Sequence, residues 1–324
     1  MNLTEKLRSL GYDAVAVVGP TASGKTAVSL VLADQLGGEI ISCDSMQIYK
    51  EMDIGTAKAT EEERSCVPHH LIDVIDPDRE YSAADYVKDA YRAMDSICVR
   101  GNFPIFCGGT GLYLESVMRG EYPEQSYSDA GIREELFAYA RENGNEALHA
   151  MLCEIDPCSA QKIHKNNVKR VVRAIEIAKC TGSTKSDVDA RNSEFRGPRV
   201  LVYCLCFHDR DLLYSRIERR VDKMIEEGLV EEARRLLLSG KLESNRTAMQ
   251  AIGYKELLPF LRGEAELCEC VSTLKTSTRR YAKRQLTWFL SRDYVHTLFC
   301  DTESGRIKDA QELVQEIAEN IKKQ

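Results

Sequence analysis

The feature that most constrains the fold of this chain is a glycine-rich stretch, GPTASGKT, at residues 19–26. An apolar run at residues 14–18 precedes it, and a helical pattern of apolar residues follows over residues 24–36. This order predicts a loop that binds a diphosphate or triphosphate between a buried strand and a helix, because backbone N–H groups and the helix N-terminus attract anions. The alternative is a chance glycine-rich turn. The motif does not indicate which group is transferred.

Four positions of this loop, called here the phosphate loop, have expected roles. Gly19 and Gly24 allow the backbone to wrap closely around the phosphates. Lys25 brings a positive charge to them, and the Thr26 hydroxyl is a candidate ligand for Mg²⁺. We therefore expect Mg²⁺ as the cofactor.

Strand and helix patterns alternate at short spacing around the phosphate loop. A helix is predicted at residues 82–100, with Ser82 as its N-cap and Asp85 three residues later. The predicted strands cover residues 14–18, 39–43, 71–75, 103–107 and 200–207. This alternation predicts an α/β fold with a P-loop NTPase-like parallel sheet and helices on both faces.

The character of the chain changes between the last two predicted strands. Residues 121–130 and 186–198 are polar, and the residues between them have helical patterns without a convincing strand. We therefore predict a helical insertion domain at residues 121–199. The catalytic core would then consist of residues 1–120 and 200–324.

Composition limits the class of protein. The 324 residues carry a net charge of −7, which is a poor overall footprint for nucleic-acid binding and makes local basic segments more informative. The 12 cysteines form no C-x-x-C pair, so buried free thiols are favoured over a structural zinc site. No stretch approaches the roughly 20 apolar residues that span a bilayer, and the N-terminus lacks the apolar part of a signal peptide. A cytoplasmic protein without a membrane partner is expected.

Two polar residues follow predicted strands at the expected ligand-binding edge of the sheet. Asp44 follows the strand at residues 39–43, and Thr110 lies in a GGTG turn after residues 103–107. Asp44 is a candidate general base or metal ligand, with a helix cap or turn residue as the alternative. Thr110 is a candidate ligand contact or simply part of a tight turn. The strand FPIFC leads into glycine rather than the usual acidic residue, which argues against a plain ATPase.

Two acid-free basic segments stand out in this acidic chain. Residues 165–173 (KNNVKRVVR) would place Lys169 and Arg173 on one helix face. Residues 275–292 (KTSTRRYAKRQLTWFLSR) repeat cations every four residues and interleave Tyr281 and Trp288. Both segments are typical of a surface that tracks a nucleic-acid backbone, with a solvated helix face as the alternative.

Together these motifs resemble the tRNA dimethylallyltransferases, also called isopentenyl-diphosphate tRNA transferases. The DSMQIYK and KRQLTW blocks are specific to that family, whereas the phosphate loop is generic. The chain lacks the zinc-finger extension of eukaryotic relatives, so a bacterial-type member is expected. The matching blocks run in order across nearly the whole chain: GPTASGKT (19–26), DSMQIYKEMDIGTAK (44–58), PHHLIDVIDP (68–77), YSAADY (81–86), GGTGLY (108–113), RVVRAIEI (170–177), RIERRVDKMIEEGLVEE (216–232), AIGYKE (251–256) and KRQLTWF (283–289).

The resemblance implies transfer of a dimethylallyl group from dimethylallyl diphosphate to N6 of the adenine at tRNA position 37, giving N6-(dimethylallyl)adenosine. Asp44 matches the family's catalytic aspartate, and Thr110 matches a residue that orients the target base. Mg²⁺ would be held at Thr26. The implied diphosphate-binding residues are Gly19, Thr21, Ala22, Ser23, Gly24, Lys25, Thr26 and Arg220.

The implied macromolecular partner is the anticodon stem-loop of tRNA, whose target base must flip out of its stack to reach Asp44. A monomer is expected. The implied tRNA-binding residues are Asp44, Ser45, Met46, Gln47, Thr110, Arg133, Lys169, Arg170, Arg173, Gln250, Gly253, Tyr254, Lys255, Lys283, Arg284, Gln285 and Trp288.

Three other functions share part of this pattern. A small-molecule or nucleotide kinase also uses the phosphate loop and would turn over ATP without RNA. An adenylate prenyltransferase would share the loop without needing the basic insertion. A non-catalytic RNA-binding regulator would keep its affinity for RNA when Asp44 is removed.

Overall fold

The computed structural model describes residues 2–120, 129–191, 196–241, 245 and 247–324. The chain forms two compact units. The core unit consists of residues 1–118 and 198–324, and the insertion unit consists of residues 119–197. No helix in the described ranges is long and apolar enough to cross a membrane.

The core unit is built on a sheet of six parallel strands in the order β3-β2-β4-β1-β5-β6. Strand β4 lies between β1 and β2, so the segments that follow these three strands meet at one edge of the sheet. The strands are β1 (Ala14–Val18), β2 (Gly38–Cys43), β3 (His69–His70), β4 (Phe103–Gly108), β5 (Val200–Cys206) and β6 (Val295–Phe299).

Fourteen α-helices lie within the described ranges, and α6 to α9 belong to the insertion unit. They are α1 (Leu3–Ser9), α2 (Lys25–Leu36), α3 (Glu61–Cys66), α4 (Ala83–Val99), α5 (Gly111–Arg119), α6 (Ala130–Ile155), α7 (Pro157–Lys162), α8 (Val168–Thr181), α9 (Lys185–Arg191), α10 (Arg210–Glu226), α11 (Leu229–Leu238), α12 (Leu258–Leu261), α13 (Leu267–Leu290) and α14 (Ala310–Lys323).

Both faces of the sheet are covered because successive side chains of a strand point to opposite faces. Val15 and Val17 of β1 pack in the same cluster as residues of α1, α2 and α14. Ala14, Ala16 and Val18 pack in a second cluster with residues of α4 and α5. Each fully buried valine contributes about 1.5–3 kcal/mol to folding. This arrangement confirms the α/β fold with helices on both faces of a parallel sheet.

The insertion unit has its own apolar core, in which Leu148 and Leu152 of α6 pack with Val171 and Ile175 of α8. Asp156 supports this unit by accepting hydrogen bonds from the backbone N–H of Ser159 at 3.0 Å and from Ser186. The regular elements among the described residues of this unit are all helices.

One strand prediction was wrong, and one strand was not predicted. Residues 71–75 are not a strand, since Leu71 and Asp73 have φ of +60° and +57° and the third strand is His69–His70. Val74 instead donates its backbone N–H to the carbonyl of Ile48 at 2.8 Å, so this segment pairs with the chain after β2. The edge strand β6 was also missed because it follows a long helix and alternates polar with apolar residues only weakly.

The predicted N-terminus of the fourth helix is confirmed. The Ser82 side chain accepts a hydrogen bond from the backbone of Asp85, and the Asp85 side chain accepts one from the backbone of Ser82. This capping box satisfies two N–H groups that the first turn of a helix leaves unpaired. All 12 cysteines are free thiols, and the strand residues Cys43, Cys204 and Cys206 are buried.

Candidate active site

A cavity of about 730 Å³ lies where the phosphate loop, the chain after β2 and helices α10 and α13 come together. Sequence-predicted site residues form much of its lining: Thr21, Ala22, Gly24, Lys25, Thr26, Asp44, Ser45, Met46, Gln47, Arg220, Gln250, Gly253, Lys255, Arg284 and Gln285. The core unit thus gathers, in one cavity, residues that lie more than 200 positions apart in the chain.

The phosphate loop has the backbone that its glycines permit. Gly24 precedes the first residue of α2 with φ of +96°, a conformation that side chains other than glycine rarely adopt. Gly19 has φ of +137°, and a Cβ atom there would lie 2.7 Å from the carbonyl oxygen of Leu205. The loop therefore reaches the N-terminus of α2 in a form that a substituted residue would strain.

Lys25 is the first residue of α2, and its Nζ donates a hydrogen bond to the carbonyl oxygen of Pro20 at 2.7 Å. Burial lowers the pKa of Lys25, and Arg220 lowers it further, whereas the Asp44 carboxylate raises it. Burial likewise lowers the pKa of Arg220, against the opposing effect of Asp44. Two cations and one anion therefore interact electrostatically inside a poorly solvated site, where such interactions are stronger than in water.

Asp44 begins a turn that follows β2. Its Oδ1 accepts hydrogen bonds from the backbone N–H groups of Met46 at 2.9 Å and Gln47 at 3.4 Å. Among the described residues, Oδ2 has no hydrogen-bond partner. The turn alternative and the catalytic prediction are thus compatible, because one oxygen fixes the carboxylate and the other is available to a ligand.

Thr110 lies in the glycine turn, defined here as residues 108–111, which follows β4. Its Oγ1 accepts a hydrogen bond from the backbone N–H of Ser45 at 3.0 Å, next to Asp44. Gly108 permits this contact, since a Cβ atom there would lie 2.0 Å from the carbonyl oxygen of Cys43. The structure therefore holds Thr110 against the Asp44 turn, although Thr110 itself is not part of the cavity lining.

Among the cavity residues that were not predicted as site residues, Arg216 and Tyr281 stand out. Arg216 Nε donates a hydrogen bond to the carbonyl oxygen of Ala22 in the phosphate loop at 2.8 Å. It lies four positions before Arg220 on α10, and this i, i+4 spacing was the signal that could have found it. Tyr281 of α13 also lines the cavity, and burial raises the pKa of its hydroxyl.

Two predicted tRNA-binding residues, Tyr254 and Gln47, make hydrogen bonds within the core unit. Tyr254 is 1% exposed and donates its hydroxyl to Glu232 at 2.7 Å. Glu232 also accepts hydrogen bonds from the backbone of residues 53–55, which anchors the chain after β2. Gln47 bonds to Ser42 and to the carbonyls of Thr56 and Ala57. These contacts favour supporting roles for Tyr254 and Gln47.

The basic segment at residues 275–292 lies mostly on α13, and its cations have different surroundings. Lys275 Nζ lies 2.7 Å from Asp222 Oδ1, and Arg279 forms an ion pair with Glu218. Both acids come from α10, so the local absence of acids in the sequence did not leave these cations unpaired. Lys283 and Arg284 are exposed, and neither has an ion-pair partner among the described residues.

In the insertion unit, the predicted arginines converge on one buried carboxylate. Glu176 Oε1 lies 2.8 Å from Arg133 Nε, and its Oε2 lies 2.8 Å from Arg173. The Glu176 side chain is fully buried, whereas Lys169 and Arg170 on the same helix are exposed. Glu176 therefore fixes the geometry of two cations that lie at the surface.

Comparisons with known proteins assign the family. The family model described as IPP transferase matches residues 47–292, and the model described as isopentenyl transferase matches residues 12–73. The tRNA dimethylallyltransferase of Carboxydothermus hydrogenoformans is 49% identical over 276 residues, covering 85% of this chain and 88% of the relative. That of Halalkalibacterium halodurans is 48% identical over 275 residues, covering 85% and 87%.

Solved structures agree with these matches. The tRNA isopentenylpyrophosphate transferase from Bacillus halodurans aligns with a TM-score of 0.68 at 43% identity, covering 96% of this chain and 97% of that one. A eukaryotic dimethylallyltransferase, described as acting on tRNA, aligns with a TM-score of 0.80 at 28% identity, covering 96% and 79%. The resemblance carried by the sequence motifs is confirmed, and the chain belongs to the IPP transferase family of tRNA dimethylallyltransferases.

Proposed function

We propose that the protein transfers a dimethylallyl group from dimethylallyl diphosphate to N6 of the adenine at position 37 of tRNA. The observation that carries the proposal is that the phosphate loop, Arg220 and Asp44 line a single cavity. Groups that can bind a diphosphate therefore line the same cavity as a carboxylate that can accept a proton. Membership of the IPP transferase family supports the same reaction.

The phosphate loop and Arg220 act on the leaving group. When the bond between the allylic carbon and the diphosphate oxygen breaks, negative charge grows on the diphosphate. Lys25 and Arg220 stabilise this charge, together with the N–H groups at the start of α2. A group of this kind contributes about 10²- to 10³-fold to a rate.

Asp44 acts on the acceptor. The lone pair of the N6 amine is delocalised into the adenine ring, so the amine is a poor nucleophile. As the carbon–nitrogen bond forms, an N6 proton passes to the Asp44 carboxylate. Thr110 holds the Asp44 turn through its bond to Ser45, and we propose that it thereby orients Asp44 toward the incoming base.

Residues in the cavity fit a divalent metal, for which we propose Mg²⁺. The Thr26 hydroxyl in the first turn of α2 is a hard oxygen donor that lines the cavity, which is the chemistry that Mg²⁺ prefers. The ion, when bound, would neutralise charge on the diphosphate.

We further propose that the tRNA anticodon stem-loop is bound by exposed basic residues on α13 and by the insertion unit. The exposure of Lys283 and Arg284 on α13, and of Lys169 and Arg170 on α8, supports this proposal, because exposed cations can contact phosphates and bases. The flipped base would reach the cavity that Tyr281 and Arg284 line.

The decisive experiment incubates the protein with Mg²⁺, dimethylallyl diphosphate and unmodified tRNA with adenines at positions 36 to 38, followed by mass spectrometry of the digested RNA. The expected result is one added C5 unit on the adenosine at position 37. Parallel reactions with AMP and with ATP alone distinguish an adenylate prenyltransferase and a kinase. Absence of any C5 adduct on tRNA would contradict the proposal.

A further inference from the structure

Gln285 connects the two loops on which the proposed reaction depends. Its side chain is 5% exposed and lies on the inner face of α13. Oε1 accepts a hydrogen bond from the backbone N–H of Thr21 in the phosphate loop at 2.9 Å. Nε2 donates to the backbone carbonyl of Gly109 in the glycine turn at 3.1 Å. One amide therefore bridges the loops that follow the neighbouring strands β1 and β4.

The chemistry of the bridge requires an amide. Thr21 offers a donor and Gly109 offers an acceptor, so the bridging side chain must accept with one atom and donate with another. An aliphatic side chain of the same length would leave a buried N–H and a buried carbonyl without these partners, which destabilises the arrangement. The two contacts join parts of the chain separated by 264 and 176 residues.

The glycine turn is shaped to receive α13. A Cβ atom at Gly109 would lie 1.9 Å from Gln285 Nε2, and one at Gly111 would lie 2.2 Å from the Trp288 ring. Lys283, Arg284 and Thr287 of the same helix are exposed. The helix therefore presents one face to the two loops and another face to solvent.

We propose that Gln285 is a positioning residue that fixes the phosphate loop relative to the glycine turn, rather than a residue that contacts tRNA. The inference rests on the proposed function. Carbon transfer requires the donor carbon and the acceptor nitrogen to be aligned at about 3–3.5 Å, and a shift of about 1 Å can lower a rate 100-fold. Because Thr110 follows Gly109 directly, the bridge sets the distance between the group that binds the donor and the group that orients the acceptor.

Gln285→Met removes the amide while keeping a similar length. We expect the single-turnover rate at saturating substrates to fall about 10- to 100-fold, and the Kd for tRNA to stay within about threefold of the wild-type value. Thr287→Ala is the matched control on the exposed face of α13, and it should leave both the rate and the Kd close to the wild-type values. Loss of tRNA affinity with an unchanged rate in Gln285→Met would overturn the proposal, as would an unchanged rate and affinity.

A double-mutant cycle supplies a second measurement that does not depend on the methionine variant folding. Gly109→Ala would expel the Gln285 amide, so it should lower the rate by a factor similar to that of Gln285→Ala. In the Gln285→Ala background the added methyl group has room, so the double variant should be no slower than either single one. Rates that multiply independently would overturn the proposal. A wild-type protein that modifies no tRNA would overturn the proposed function itself, and this inference with it.

Discussion

The cavity of the core unit and the two basic segments use cations in different ways. In the cavity, Lys25 and Arg220 are half-buried and interact with a single carboxylate, Asp44. In the basic segments the cations lie at the surface, and several are paired with acids from other elements, as Lys275 is with Asp222. Partly desolvated charges interact more strongly than surface charges, which are screened by solvent and salt. Cavity residues should therefore govern the rate, and the surface cations should govern the affinity for tRNA.

The largest effect is expected for Asp44→Ala, which removes the proposed base. The chemical rate should fall about 10²- to 10⁴-fold. The Kd for tRNA should change little because Asp44 supplies no positive charge to the RNA backbone. Single-turnover prenyl transfer and filter binding measure the two quantities. A collapse of tRNA binding with normal single-turnover chemistry would contradict the role of Asp44. It would also contradict the expectation that cavity residues govern the rate and surface cations govern the affinity for tRNA.

The next largest effect is expected for Arg220→Met, which keeps much of the length of the side chain and removes its charge. The value of kcat/KM for dimethylallyl diphosphate should fall about 10²-fold because the leaving diphosphate loses one cation. Arg219→Met is the matched control, since Arg219 is exposed on the same helix and does not line the cavity. Equal losses in the two variants would show that general charge, rather than the cavity, is responsible.

A smaller effect is expected when Glu176→Gln releases the two arginines of the insertion unit. Loss of the carboxylate weakens two charge-assisted hydrogen bonds, so the tRNA affinity should fall about threefold to tenfold. Hydrogen exchange in the full chain should accelerate in helices α6 and α8. Glu142→Gln is the control, because Glu142 is exposed on α6. Unchanged exchange and affinity would mean that Glu176 does not organise this surface.

The same carboxylate gives a pH dependence. Burial acts to raise the pKa of Glu176, but hydrogen bonds from Arg173 and Arg133 lower it overall. A carboxylate with a lowered pKa stabilises the folded state above the pKa of the unfolded chain, about 4.3 for glutamate. That stability is lost as pH falls through the lower folded-state pKa. The protection of amides in α6 and α8, expressed relative to the intrinsic exchange rate at each pH, should therefore fall below about pH 4.3, and fall less in Glu176→Gln.

The smallest effects are expected within α13. Two lysine variants there test whether an ion pair reduces the contribution of a lysine to tRNA binding. Lys283→Ala should weaken tRNA binding about threefold to fivefold and reduce the salt slope by about one. Lys275→Ala should change the affinity less than about twofold, because Asp222 already neutralises Lys275 at the surface. Titrations at several salt concentrations compare the two variants. Equal losses would show that the ion pair opens when RNA binds.

The elements that the sequence determined by itself are those whose spacing is local. The G-x-x-x-x-G-K-T pattern, the polar residues at strand ends and the capping box at Ser82 each act within a few residues, so their geometry follows from the order of residues. Because parallel strands share one carboxyl edge, Asp44 and Thr110 could also be expected near the phosphate loop. The hydrogen bond from the Ser45 N–H to Thr110 Oγ1, next to Asp44, agrees with that expectation.

Only the tertiary structure decided which distant groups meet. The acids that pair with Lys275 and Arg279 lie on α10, more than 50 residues away, and the acid-free segment gave no sign of them. The edge strand β6 and the conformation of residues 71–75 likewise depend on contacts far along the chain. Gln285 shows the same limit, since it stands in a basic motif but its amide joins two glycine-rich loops. The packing of distant segments determines which hydrogen-bond and ion-pair partners meet, and local residue spacing does not predict that packing.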